Sequence, residues 1–147
     1  MTSLARAFPE PAPGRTATVG EAMLRIAKVH GLATTVGELR ELFRDHHVHA
    51  AVIVAGRRLV AVIEPADLTA HRDDREPAMT VGLLTGRTVG PGARLEPTRW
   101  SMLRTGRRRL AVVDGDGDYL GLLCLKRSGL GFCSERDVRA RQHDRVH

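Results

Sequence analysis

The sequence predicts an α/β protein made of two β-α-β-β-α repeats, small sheets backed by helices and related by a pseudo-twofold axis. Three observations carry this reading. A shift of sixty residues lays Ala51-Val52-Ile53 on Ala111-Val112-Val113 and Leu59-Val60-Ala61-Val62-Ile63 on Tyr119-Leu120-Gly121-Leu122-Leu123. The paired apolar runs are nearly continuous, as strands covered on both faces require. Between them lie tight glycine turns, Gly56-Arg57-Arg58 in one repeat and Asp114-Gly115-Asp116-Gly117-Asp118 in the other.

Each element has its own local cause. Lys28-Val29-His30 reads as a short extended piece. Thr35 is a helix N-cap with Glu38 three residues on, a capping box, and Val36, Leu39, Leu42 and Phe43 follow at helical spacing. Ala50 to Ala55 and Leu59 to Ile63 form a hairpin, and Pro65 opens a closing helix reaching about Ala70. In the second repeat Leu95, Met102 and Leu103 keep the helical face, with Arg99 where a leucine is expected and Trp100 on the opposite face, matching Arg40. The Asp/Gly run lacks the twelve-residue spacing and closing glutamate of a calcium loop and reads as a plain turn. Gly129 and Gly131 precede a polar helix from about Ser134 to Arg145. The expected organisation is a mobile tail (1–17), repeat one (18–70), a polar linker (71–77), repeat two (78–138) and a polar tail (139–147).

The chain of 147 residues is 42% hydrophobic and 27% charged, a globular balance. No apolar run approaches the ~20 residues of a membrane helix, so no membrane role is expected. Phe8-Pro9-Glu10-Pro11 breaks any secretory signal, and two cysteines cannot form a disulfide framework; a reducing cytoplasm is the expectation. The net charge of +6 resides in the second half: residues 1–80 balance ten basic against ten acidic side chains, residues 81–147 hold thirteen against seven. Such a half seeks an anionic partner. Aromatics at 3% disfavour base-stacking platforms, and the basic residues, twenty-one Arg and two Lys, are weak evidence for nucleic acid.

Thr34-Thr35-Val36-Gly37-Glu38, Val48 to Val54, and Leu59-Val60-Ala61-Val62-Ile63-Glu64-Pro65-Ala66-Asp67-Leu68 together resemble a tandem CBS-domain pair (a Bateman module) over residues 18 to 138. The family signature is a glycine, two apolar residues, a Ser/Thr, two variable residues and an aspartate. Ala61 stands for the glycine and Glu64 for the hydroxyl residue, while Asp67 is retained. In the second repeat Gly121 is retained, Cys124 replaces the hydroxyl residue and Arg127 the aspartate.

That resemblance implies regulation by an adenine nucleotide (AMP, ADP or ATP) held in clefts between the repeats, with no required cofactor. A carboxylate at the start of the closing helix can accept both ribose hydroxyls, and Asp67 matches that position; a helix-start aspartate stabilised by the macrodipole is the structural alternative. Val48 to Val54 resembles a segment of the regulatory gamma subunit of AMP-activated kinase in which a histidine approaches the phosphates. His49 matches that histidine, Arg109 takes the equivalent place sixty residues later, and Ala50 replaces an arginine. The alternatives are a solvent-facing histidine and, for Arg107-Arg108-Arg109, a solvated turn. The expected ligand cleft is the first, with Asp67 on ribose and His49 or Arg109 near phosphate. Arg127 leaves the second cleft empty or suited to a more anionic ligand.

His46, His47 and His49 with Cys124 and Cys133 fit no usual zinc spacing. Cys124 lies in an apolar strand as a buried, inert thiol, Cys133 in a loop, and a redox switch is the lesser reading. No Ser/His/acid context, phosphate loop or carboxylate pair points to an enzyme. Three functions remain: a nucleotide sensor acting on a separate regulated protein, a ligand-free structural or protein-interaction module, and a nucleic-acid-associated protein using the basic half. Repeats of ~60 residues cannot bury a large core alone, so pairing within the chain is required; the resemblance further implies a homodimer, with Trp100 in its surface.

Overall fold

The computed structural model describes residues 17–70, 73–137, 139 and 140. Its helices are α1 (Val19–Ala22), α2 (Val36–Leu42) and α3 (Leu95–Thr105). Its strands are β1 (Ala51–Ala55), β2 (Arg58–Ile63), β3 (Thr88–Val89), β4 (Arg109–Val113) and β5 (Tyr119–Cys124). β1 and β2 form an antiparallel hairpin; β4 and β5 form a second, to which β3 adds in parallel.

Two expectations about elements are corrected. The first sheet has two strands, not three, because Val29 is 39% exposed and only His30 bridges, in parallel, to Ile53. The closing helix of the first half is a single 3-10 turn, Pro65–Leu68. Leu68 is its one buried apolar residue and Thr69 and Ala70 are exposed, so no apolar stripe holds a longer helix. The later polar helix is seen at residues 135–137, 139 and 140, with the Asp137 N–H donating to Ser134 Oγ at 3.1 Å. Its expected remainder to Arg145, and the N-terminal tail through residue 16, lie outside the described residues.

The halves complete one another. Val19 and Met23 sit in the core with Leu95, Met102, Leu110, Val112 and Leu123 of the second half. Reciprocally, Ala78 and the partly buried Val81 pack with Val36, Leu39, Ile53 and Ile63 of the first. The pairing is matched bond for bond. Leu24 N–H donates to Leu122 O at 2.7 Å and receives the return bond at 2.9 Å, while Leu83 and Val62 exchange the same pair at 3.1 and 3.3 Å. Thr18 bridges Arg94 as Thr35 bridges Pro77. Val52, Leu59 and Val62 meet Ala111 and Leu122 in a shared apolar layer between the hairpins.

These pairings also correct the register. His30–Ile53 corresponds to Val89–Val112, a shift of fifty-nine, whereas Ala61 and Gly121 correspond at sixty. The second hairpin turn holds one residue more than the first. Every position before that turn therefore moves by one: Leu39 corresponds to buried Thr98 rather than to Arg99, and His49 to Arg108 rather than to Arg109. The offset explains why Leu103, expected in the core, is 41% exposed. Arg40 and Arg99 are then true equivalents, donating to Leu68 O at 2.9 Å and Gly129 O at 2.7 Å. Gly106 ends α3 in the left-handed conformation at φ 74°, which turns the chain into the arginine run.

Candidate functional site

Two clefts flank the shared layer, and their linings correspond. The first, about 270 Å³, is lined by His49, Glu64, Ala66, Thr105, Arg107 and Arg108 among others. The second, about 850 Å³, is lined by His46, His47, His49, Arg108, Lys126 and Arg127 among others. Under the corrected register His49 and Arg108 exchange roles between them, Thr105 corresponds to His46 and Ala66 to Lys126. Each cleft thus lies between the start of one hairpin and the end of the other.

Beside the first cleft the protein supplies its own counter-ions. Both Asp67 carboxylate oxygens accept from Arg87, at 2.5 and 3.0 Å, and Oδ2 also accepts the Glu64 N–H at 2.7 Å. Arg87 is 5% exposed and donates further to Val62 O at 2.8 Å. Glu64 accepts from Arg107 Nε at 2.9 Å and lies 3.4 Å from Arg87. Burial pushes the Asp67 pKa up, but the hydrogen bonds from Arg87 and Glu64 and the charges of Arg87 and Arg107 outweigh it and hold the carboxyl below its ordinary value. The Asp67 hydrogen bond correspondingly raises Arg87. The carboxylate expected to take a ribose is bidentately held by a guanidinium of its own chain.

The arginine run is no solvated turn. Arg107 pairs with Glu64, Arg108 Nε donates to Leu125 O at 2.8 Å, and Arg109, 7% exposed, donates to Arg108 O and His47 O. Arg109 lines the first cleft and His49, half-buried, lines both. The second cleft is different in kind. Lys126 and Arg127 are exposed, and neither side chain has a partner among the described residues. His46, His47 and Arg108 complete the wall of that cleft, with Asp137 as its acidic member.

The expectation of separate thiols is corrected: Cys124 and Cys133 are disulfide-bonded, with Cα atoms 5.4 Å apart. They lie nine positions apart, but the chain reverses between, bridging Leu125 to Phe132 and bonding Cys133 N–H to Cys124 O at 2.7 Å. Spacing alone hides that hairpin. Cys124 is 1% exposed and lines neither cleft, whereas Cys133 lines the second. Among the described residues no group of three or more His, Cys, Asp or Glu assembles as a metal site. In the Asp/Gly run, Asp114 accepts the N–H groups of Asp116 and Asp118 at 2.9 and 3.0 Å, the geometry of a turn. No helix among the described residues is long and apolar enough to cross a membrane.

Sequence reasoning missed Arg87, which looks like one more basic residue in the turn Thr85-Gly86-Arg87. Nothing local marks it, because its partner lies twenty residues back across the sheet.

No family model matches the chain, and no curated protein does. Solved structures do match. CBSX2 in complex with AMP is 25% identical, covering 87% of this chain and 98% of its own, at a TM-score of 0.62. The CBS domains of a transcriptional regulator from Streptococcus pneumoniae are 16% identical over 84% of this chain and 97% of theirs, at 0.61. The cytosolic domain of the Mg2+ channel MgtE in complex with ATP is 20% identical over 74% of this chain and 46% of its own, at 0.59.

Proposed function

The chain is a tandem CBS-domain pair, and on that premise we propose that it is a regulatory module binding an adenine nucleotide in its second cleft and acting on a separate protein. The observation that carries the site is the contrast between corresponding clefts. One has its carboxylates committed to Arg87 and Arg107; the other is larger, with the exposed Lys126 and Arg127 lining it. Phosphates need cations, and charge-assisted bonds to guanidinium are the strong ones. The AMP and ATP complexes of CBSX2 and MgtE support adenine nucleotides as the ligand class. Asp67 and Glu64 take a structural role on this reading, joining the halves through Arg87 and Arg107.

A nucleotide regulates through its different affinity for two states of the module or its complex, so no catalytic step is assigned. The setting is the cytoplasm, where such nucleotides are found. Calorimetric titration of the wild-type protein with AMP, ADP and ATP at fixed salt tests the reading. Saturable heat that grows with phosphate number is expected, and no heat at millimolar concentration for any of the three contradicts it.

An exposed apolar set favours a second role as an interaction module. Trp100 is 55%, Leu103 41% and Leu130 83% exposed, and Arg99 lies over the Trp100 ring at 5.0 Å. Leu103 lies against Gly129, so the helix and the loop present these side chains together. We assign this face to a homodimer. Light scattering of wild type and Trp100→Glu checks it: a dimer that the substitution splits is expected, and a monomer at high micromolar wild-type concentration contradicts it. Nucleic-acid binding is the remaining alternative and would show as binding that falls steeply with salt.

A further inference from the structure

We infer that the Cys124–Cys133 disulfide is a redox control on the second cleft: oxidised, it holds the Lys126–Arg127 wall in place, and its reduction weakens binding of a phosphorylated ligand there. The inference rests on the nucleotide reading of that cleft. Cys124 ends β5, and the hairpin it closes with Cys133 carries Lys126 and Arg127 within its loop. Beyond Cys133 run the helical residues that bring Asp137 and Ala140 to the same cleft. The disulfide therefore ties both parts of that wall to the sheet.

Other ties hold the base of the wall: Cys133 N–H donates to Cys124 O at 2.7 Å, Leu125 N–H to Arg108 O at 2.8 Å and Arg99 to Gly129 O at 2.7 Å. Lys126 N–H donates to Gly131 O at 2.8 Å, Arg108 Nε to Leu125 O, and Arg25 N–H to Glu135 Oε2 at 2.8 Å. The side chains at its tip, Lys126, Arg127, Ser128 and Leu130, are exposed, whereas Leu125 at its base is buried and Phe132 packs partly against the core. Exposed tips of this kind open at low free-energy cost, and the disulfide is the covalent tie that limits how far the hairpin opens.

The chemistry has a route. Both cysteines sit in a buried cluster with Leu24 and Ala27, at 1% and 6% exposed, but Cys133 also lines the cleft, so a low-molecular-weight thiol reaches the bond from that side as the loop opens. Its thiolate attacks the Cys133 sulfur, the S–S bond breaks, and Cys124 leaves as a thiolate that takes a proton. A second external thiol attacks the mixed disulfide and releases Cys133, so two external thiols become one external disulfide and the protein gains two electrons and two protons. The reverse exchange, with an external disulfide as oxidant, restores the bond. Because the attack passes through the cleft, a ligand bound there protects the disulfide, and binding and redox state are linked reciprocally.

The test prepares the full chain oxidised and reduced, with thiols counted by mass after alkylation, and titrates each with ATP. The reduced form is expected to bind ATP about fivefold or more weakly than the oxidised form. Saturating ATP is expected to slow reduction by dithiothreitol several-fold. The double variant Cys124→Ala/Cys133→Ala should match the reduced form and ignore oxidant. Equal affinities within twofold, tighter binding by the reduced form, or two free thiols persisting in an oxidising glutathione buffer would each overturn the redox control and leave the nucleotide reading standing. No ATP binding by either form overturns both.

Discussion

Asp67 and Arg127 occupy corresponding positions sixty residues apart, one clamped by Arg87 and the other lining the larger, basic cleft. The charge reversal at one position thus separates a structural ion pair from a candidate binding surface.

The Arg87–Asp67 pair is largely buried, with side-chain exposures of 6% and 14%. Replacing one member strands the other's charge, which typically costs several kcal/mol. Asp67→Asn keeps part of the hydrogen bonding, so a loss of about 2–4 kcal/mol is expected in urea unfolding. The double variant Asp67→Leu/Arg87→Met, which strands no charge, is expected to be the more stable of the two. A loss under about 0.5 kcal/mol for Asp67→Asn would show that the pair does not join the halves.

The same pair sets an acid limit. The folded pKa of Asp67 lies below its ordinary 3.8, so the unfolded chain binds its proton first as pH falls. Its contribution is complete above about pH 4 and disappears as pH drops through the lower folded value. Asp67→Asn removes that part of the acid loss, which stability measured from pH 6 to pH 2 would reveal as a shallower slope.

At the alkaline end Tyr119 acts with the opposite sign. Burial pushes its pKa up to about 12, and its hydroxyl has no hydrogen-bond partner among the described residues. The neutral phenol is favoured in the folded state, so this stabilisation is full below the ordinary pKa of 10.0 and is lost as pH rises towards 12. Tyr119→Phe removes an unsatisfied polar atom. Its melting temperature at pH 7 is expected to equal or exceed wild type, and its stability to fall less between pH 10 and 12.

Gly121 is fixed by close approach. A Cβ there would lie 2.7 Å from Leu24 O and 2.9 Å from the Met23 sulfur, at the junction between the N-terminal segment and the second hairpin. Gly121→Ala is expected to cost about 1–3 kcal/mol in denaturant unfolding, as overpacking does. Gly115→Ala, with nothing within 4 Å, is the near-neutral comparison.

Much of this architecture is legible in the sequence because local chemistry fixes it. Thr35 and Glu38 form the capping box as read, with the Glu38 N–H reaching Thr35 Oγ1 at 3.2 Å. Both hairpins lie where apolar runs and glycine turns place them. The one-residue register error was invisible for a physical reason: Ala-Val-Ile-Val and Leu-Ala-Val-Val overlay equally well at shifts of fifty-nine and sixty, and only bridges such as His30–Ile53 and Val89–Val112 distinguish them. For the candidate site, the sequence pointed to residues that line clefts but not to how their side chains pair. His49, Glu64, Arg109 and Arg127 all line clefts, yet Asp67–Arg87 and Cys124–Cys133 are tertiary meetings that no residue pattern announces.

The central claim is that the second cleft is the anion site, because the carboxylates beside the first are committed to ion pairs within the chain. It is tested most directly by calorimetric titration of ATP, at fixed salt, into oxidised wild type, Arg127→Ala and Asp67→Asn, each first shown to be folded. Loss of one hydrogen bond to a charged group costs ~1.5–3 kcal/mol, so Arg127→Ala is expected to weaken ATP by about one to two decades while Asp67→Asn stays within about twofold of wild type. Affinity lost in Asp67→Asn and kept in Arg127→Ala would contradict the account and move the nucleotide to the first cleft.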